Sequence, residues 1–379
     1  MEHFFTLIIS PPRFNTTVRS SFLFHPPDIP LDLYWACLRS LLVTPSAYTH
    51  RDFYLPVPST KEVLTKRVEF IKLKVQDDSE ISNEYFTSKG IRLSIPLIAA
   101  FALSIENIFI TEDYVGRMVG WLANFDIRRG LQIAQRIITS PILNISDLVS
   151  AYVTNQGFSS RKINIEKALL LGDYNYFYQQ ESSFILNLFE VDSNAITSPL
   201  LRLSILRLLI DVYAENTTDS EKMYSSVEDV LNYFEPTTVS RNLTKINLKY
   251  LLDHRLIEPY DPTDVCIYES QKIKITHCGR IHYEFVTEDK KGTYMSEMAL
   301  ITPVASQEHI LKSRLLLKDI DRLSHSDLQN AINNKKIIKY FVEYYLEQDK
   351  IHMSLPKLTS YASQSNFREL LYKKWVENN

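Results

Sequence analysis

From residue 95 to residue 139, apolar positions recur every three or four residues, the period of a helix with one buried face. The pattern predicts helices over residues 95–109, 112–123 (opened by Thr111) and 127–139. The last is capped by Asn124-Phe125-Asp126, carries a stripe of Ile127, Leu131, Ala134, Ile137 and Ile138, and is stopped by Pro141. Ahead of this block, Ser59 or Thr60 with Glu62 close behind opens a helix to about Lys74. After it, helices are expected over 147–154 (capped by Ser146), 163–171 and 175–190. Residues 199–213 are apolar almost all round, with Arg202 and Arg207 as exceptions, which predicts a helix buried on more than one side. The apolar run 4–9, ended by Ser10-Pro11-Pro12, reads as a lone buried strand. Pro26, Pro27, Pro30, Pro45, Pro56 and Pro58 predict irregular connections around a helix near 31–42. The tail carries helical patterns at 307–323, 327–346 and 366–377.

Within residues 198–304 the order is more specific. The apolar helix 199–213 is followed by a polar loop and a Ser226-capped helix, 227–234. A turn, Glu235-Pro236-Thr237-Thr238, leads into a helix over 239–254 with Val239, Leu243, Ile246, Tyr250 and Leu251 inward. Leu256-Ile257 reads as extended. Residues 266–268 and 272–276 then alternate like a hairpin around Glu269-Ser270-Gln271, and a helix resumes over 279–285. Helix, helix, proline-threonine turn, helix, hairpin is the order of a winged helix-turn-helix. Caps, period and turn chemistry agree on it. The expected fold is mainly α: residues 1–75 with one strand and proline-rich connections, a helical domain over 76–195, a winged helix-turn-helix with a small β-hairpin over 196–304, and a helical tail over 305–379.

The composition narrows the function. Hydrophobic residues at 45% and charged residues at 23% are those of a packed globular chain. A net charge of -3 means that any nucleic-acid contact must be a local patch. One such patch is visible. Between residues 236 and 255, Arg241, Lys245, Lys249 and Arg255 stand against Asp253 alone, and the first three are four residues apart, so they share a helix face. The candidate duplex-DNA contacts are Thr238, Ser240, Arg241, Asn242, Lys245 and Lys249 on the third helix, with Lys272 and Lys274 in the wing. Arginine reads guanine edges and spaced lysines neutralise phosphates. The same pattern also describes a solvated helix face, and winged helices also serve as protein-docking modules. The aromatic run Tyr340-Phe341-Val342-Glu343-Tyr344-Tyr345 suits a protein interface.

Two stretches carry a family resemblance. Asn124-Phe125-Asp126-Ile127-Arg128-Arg129-Gly130-Leu131 resembles the motif that opens the lid helix of the STAND and AAA-type P-loop ATPases. The runs 182–189 and 203–209 are similar to the linker between lid and winged helix in the large bacterial members, and Ile275-Thr276-His277-Cys278-Gly279-Arg280 is similar to their closing helix. The resemblance implies that 76–195 is lid-like and that Arg128 or Arg129 senses a nucleotide phosphate. It implies, too, that the chain corresponds to the C-terminal portion of such an ATPase. No Gly-x-x-x-x-Gly-Lys-Ser/Thr loop is present, so a complete nucleotide site is not expected from this chain; the resemblance implies an ATPase core lost by truncation, separated by gene splitting, or supplied in trans by a partner.

Other chemistry is sparse. Cys37, Cys266 and Cys278 are too scattered for a disulfide framework or a zinc site, which suits a reducing, cytoplasmic compartment. No signal peptide and no membrane-spanning run is read. The expectation is a non-catalytic regulatory module without metal or cofactor. Its partner is duplex DNA or, alternatively, an ATPase or effector protein.

Overall fold

Local capping sets the starts of five of the described helices. The computed structural model describes residues 58–77, 85–86, 92–93, 102–103, 105–111, 113–143, 162–174, 177–182, 184–192, 196–216, 221–263, 266–289, 291–303 and 328–377. Helix α1 (Thr60–Asp77) opens behind Ser59: the Glu62 amide donates to Ser59 Oγ at 3.2 Å and the Ser59 amide to the Glu62 carboxylate at 2.8 Å. A π-helical turn (Asn107–Thr111) precedes α2 (Asp113–Leu122). Helix α3 (Ile127–Thr139) starts where Asp126 accepts from the Arg129 amide, and α4 (Lys162–Leu171) follows. Strands β1 (Tyr85–Phe86) and β2 (Arg92–Leu93) form a small antiparallel ladder.

The later half begins with α5 (Leu201–Glu215), β3 (Ser225–Ser226) and α6 (Val227–Phe234), and α6 has a reciprocal capping box between Ser226 and Asp229. Next come α7 (Arg241–Asp253), β4 (Ile257–Pro259), β5 (Lys272–Ile275), α8 (His277–Thr287) and α9 (Thr293–Ile301). Helices α10 (Leu328–His352) and α11 (Ala362–Tyr372) follow, joined through a 3-10 turn at Thr359–Tyr361, and a π-helical turn (Lys373–Glu377) closes the described chain. The fold is mainly helical, as the period predicts. Its three-stranded sheet is antiparallel in the order β3-β5-β4, with Ser225 opposite Ile273 and Ile257 opposite Ile275. Helix α8 packs on α2 and α5, α9 on α4 and α10, and α11 on α5. The apolar core is continuous from Leu64 to Val376. Gly279 marks the closest approach: a Cβ there would lie 2.1 Å from the Leu256 carbonyl oxygen.

Several expectations are corrected. Residues 177–190 form no α-helix in their described part, only a 3-10 turn at Gln179–Glu181. Residues 185–189 are instead buried in extended and turn conformation, and distant side chains satisfy their backbone. The Leu186 amide donates to His282 Nε2 (3.1 Å), Tyr294 Oη donates to the Leu186 carbonyl (2.6 Å), and the Leu188 amide donates to Tyr294 Oη (3.2 Å). The Asn187 amide donates to Gln179 Oε1 at 2.8 Å. Buried polar backbone demands such partners, and these outcompete helical bonding. Residues 266–268 are not a strand; β5 pairs with β3 and β4 instead, because 257–259 and 225–226 reach it in register. The inward face of α7 is Thr244, Asn247, Leu248 and Leu251, while Ile246, expected inside, is 42% exposed. Helix α9 has no counterpart in the sequence reading. The strand expected at 4–9 and the helices at 31–42, 147–154 and 307–323 lie outside the described residues, as does part of 95–109.

Candidate nucleic-acid interface

The predicted contact residues converge on α7 and the strands beside it. Ser240 is spent on structure: its Oγ accepts the Leu243 amide at 3.3 Å and caps α7. One flank of the helix carries Arg241 and Lys245. The outward face carries Asn242, Ile246 and Lys249.

Carboxylates meet these cations. Arg241 donates from Nη1 to Asn232 Oδ1 at 2.8 Å and stands 3.6 Å from Glu269. Lys245 binds Glu269 at 2.9 Å, Lys249 pairs with Asp253 one turn on, and Lys274 binds its cross-strand neighbour Glu258 at 3.0 Å. The hydrogen bond from Lys245 and its charge, aided by Arg241, hold the Glu269 carboxyl below its usual range. The four-residue spacing was legible, but Glu235, Glu258 and Glu269 lie outside the helix and are brought in by the turn and the sheet.

Thr238 is engaged by the tail. Its hydroxyl donates to the His352 carbonyl at 2.9 Å and accepts the Ser354 amide at 3.2 Å. On the sheet, Lys272 and Lys274 are joined by aromatic rings that the sequence reading did not single out. The Lys274 ammonium lies 4.6 Å from the Tyr224 ring centroid and the Lys272 ammonium 5.8 Å from that of Tyr260. The two tyrosine rings meet edge-on at 5.1 Å. Tyr224 and Tyr260 sit at the ends of short strands, where alternation is too brief to read.

The two arginines of the lid-like motif part company. Arg128 is exposed. Arg129 turns inward with its guanidinium carbon 5.3 Å from the Phe184 ring centroid, and burial lowers its pKa. The preceding turn holds Asn124 and Phe125 at φ 49° and 59°. Asn124 is a clamp: its Nδ2 donates to the Arg255 carbonyl at 3.0 Å and its Oδ1 accepts the Cys278 amide at 2.7 Å. The motif residues thereby tie α2 and α3 to the start of α8. Cys278 is a buried thiol pushed up to about 12 by burial. Among the described residues no three His, Cys, Asp or Glu side chains group as a metal site, and no helix is long and apolar enough to cross a membrane.

No protein-family model, no curated protein and no solved structure matches this chain.

Proposed function

We propose that residues 196–304 form a winged helix-turn-helix and that the protein is a non-catalytic regulatory module docking on duplex DNA through α7 and strand β5. One observation carries the reading: α5, β3, α6, α7, β4 and β5 follow one another in the order of that motif, with β5 between β3 and β4. Helix α7 then lies outward with Arg241, Lys245 and Lys249 side chains 35%, 38% and 43% exposed. The aromatic-cationic strip of Tyr224, Tyr260, Lys272 and Lys274 lies on the face of the sheet opposite the buried Ile273 and Ile275. In contact with DNA, phosphates replace the carboxylates as partners of these cations.

The test is a band shift with a mixed-sequence duplex at low salt. Binding is expected to weaken with a log–log salt slope of about -3 if three phosphates are neutralised. Arg241→Ala and Lys245→Ala each weaken it and flatten the slope. Absence of binding at low salt overturns the reading.

A protein partner is the second reading. It is favoured by Ile246, exposed at the centre of the outward face, and by carboxylates that leave that face close to neutral. Capture of a defined partner that Ile246→Asp abolishes, with no DNA binding, supports it. Descent from the C-terminal half of a STAND/AAA-type ATPase rests on the motif around Arg128 and Arg129. It is tested by whether Arg128→Ala alters ATP hydrolysis by a partner carrying the P-loop.

A further inference from the structure

The turn at the start of α7 is exposed at Glu235, Pro236, Thr238 and Ser240, but the chain's own tail occupies a polar group within it. Phosphates dock at the start of a recognition helix on hydroxyls and backbone amides of the preceding turn. In this turn the hydroxyl of Thr238 gives its proton to the His352 carbonyl and accepts the Ser354 amide, both from one tail segment. The same segment grips the end of α6. Tyr361 stacks on Tyr233 with centroids 4.6 Å apart at 29°, its hydroxyl donates to the Tyr233 carbonyl, and Tyr233 Oη donates to the Ser360 carbonyl at 3.1 Å.

The segment differs from its own flanks. Behind it, α10 and α11 are tied to α5 by buried groups: Asp349 binds Arg368 and Ser198, and Gln364 Nε2 donates to the Ser204 carbonyl at 2.9 Å. Between those anchors, Ser354 and residues 357–360 are exposed, Leu358 by 60%. Here Met353 and Tyr361 are the buried side chains. The stretch is pinned at its ends by the buried Met353 and Tyr361; between them the exposed residues 357–360 are the part able to open locally while the rest stays folded.

We propose that residues 352–361 are an autoinhibitory cover on the α6–α7 turn, competing with the DNA backbone for Thr238 and the start of α7. This rests on the proposed reading of α7 as the DNA-docking helix. Opening the cover exchanges the two Thr238 bonds for phosphate contacts and leaves the Asp349–Arg368 anchor in place.

The test uses the full chain and a mixed-sequence 30-base-pair duplex at low salt. Tyr361→Ala removes the stack and is expected to tighten binding about tenfold, the gain when a state closed nine-tenths of the time is opened. Because this variant could lose fold, a second one closes the cover reversibly: Thr238→Cys with Ser354→Cys, in a Cys266→Ser background. Oxidised, it should bind at least about tenfold more weakly than the same protein reduced. Equal binding in both redox states, or weaker binding by a folded Tyr361→Ala, overturns the cover while leaving DNA docking intact. No binding by the parent, the Tyr361→Ala protein or the reduced pair overturns the docking reading and the cover together.

Discussion

The Arg368 guanidinium makes a two-point contact with the Asp349 carboxylate, Nε to Oδ2 at 2.6 Å and Nη2 to Oδ1 at 3.0 Å, with both side chains largely buried. Arg368 Nη2 also donates to Ser204 Oγ at 3.0 Å, so the pair joins α10 and α11 to α5. Removing one partner strands a buried charge. Asp349→Leu or Arg368→Met alone is expected to cost about 3–5 kcal/mol, and the double variant less than the sum. Urea unfolding of the four proteins checks this; additive losses would mean that the pair is not coupled.

His282 predicts an acid-sensitive fold. Its ring is fully buried, donates from Nδ1 to the Cys278 carbonyl at 2.7 Å and accepts the Leu186 amide at Nε2, so it is held neutral. Burial depresses its pKa from 6.5 to about 4. The unfolded chain binds the extra proton first. Stability contributed by the neutral ring is therefore complete above pH about 6.5 and is lost progressively down to pH about 4, by about 3 kcal/mol. Unfolding free energies at pH 7, 6 and 5 should show that slope, and His282→Gln should remove its share.

Gln271 is a stability liability. It is 2% exposed, and neither its Oε1 nor its Nε2 has a protein hydrogen-bond partner. Gln271→Met keeps the length of the side chain and removes two unsatisfied groups. It is expected to raise stability by about 1 kcal/mol, seen as a higher urea midpoint at unchanged m-value. A lower midpoint would show that the amide is paired in solution.

Glu269 restrains the cationic flank of α7 by holding Lys245 and facing Arg241. Under the proposed function, Glu269→Gln should tighten duplex binding several-fold at low salt, with the gain shrinking as salt is added. Fluorescence anisotropy across a salt series measures it; unchanged affinity would argue that DNA does not meet this flank.

Elements whose signals are local were legible in the sequence. Asp126 and Ser226 cap helices within three residues of themselves, so α3 and α6 start where the capping pattern puts them; α7 is capped by Ser240 rather than by a threonine of the preceding turn, and starts two residues later than expected. What failed to read was set by partners far along the chain. Residues 185–189 have helical-looking periodicity, yet their backbone is claimed by His282 and Tyr294, 96 and 106 residues away. Strand β3 is two residues long and exists because β5 lies beside it. The basic spacing of Arg241, Lys245 and Lys249 was plain, as was Asp253 one turn beyond Lys249, whereas Glu269, which Lys245 binds and Arg241 faces, comes from the loop before β5.

The sequence by itself determined the mainly helical class, most helix starts and the run of cations on α7, because capping and period act within a turn or two of the chain. Tertiary structure alone decided which face of α7 is buried, which charges neutralise its cations, and that residues 352–361 lie against Thr238. The Thr238 contact joins segments 114 to 116 residues apart and the Lys245–Glu269 pair joins residues 24 apart, beyond the reach of capping and period, whereas Lys249–Asp253 is a local pair on the helix itself.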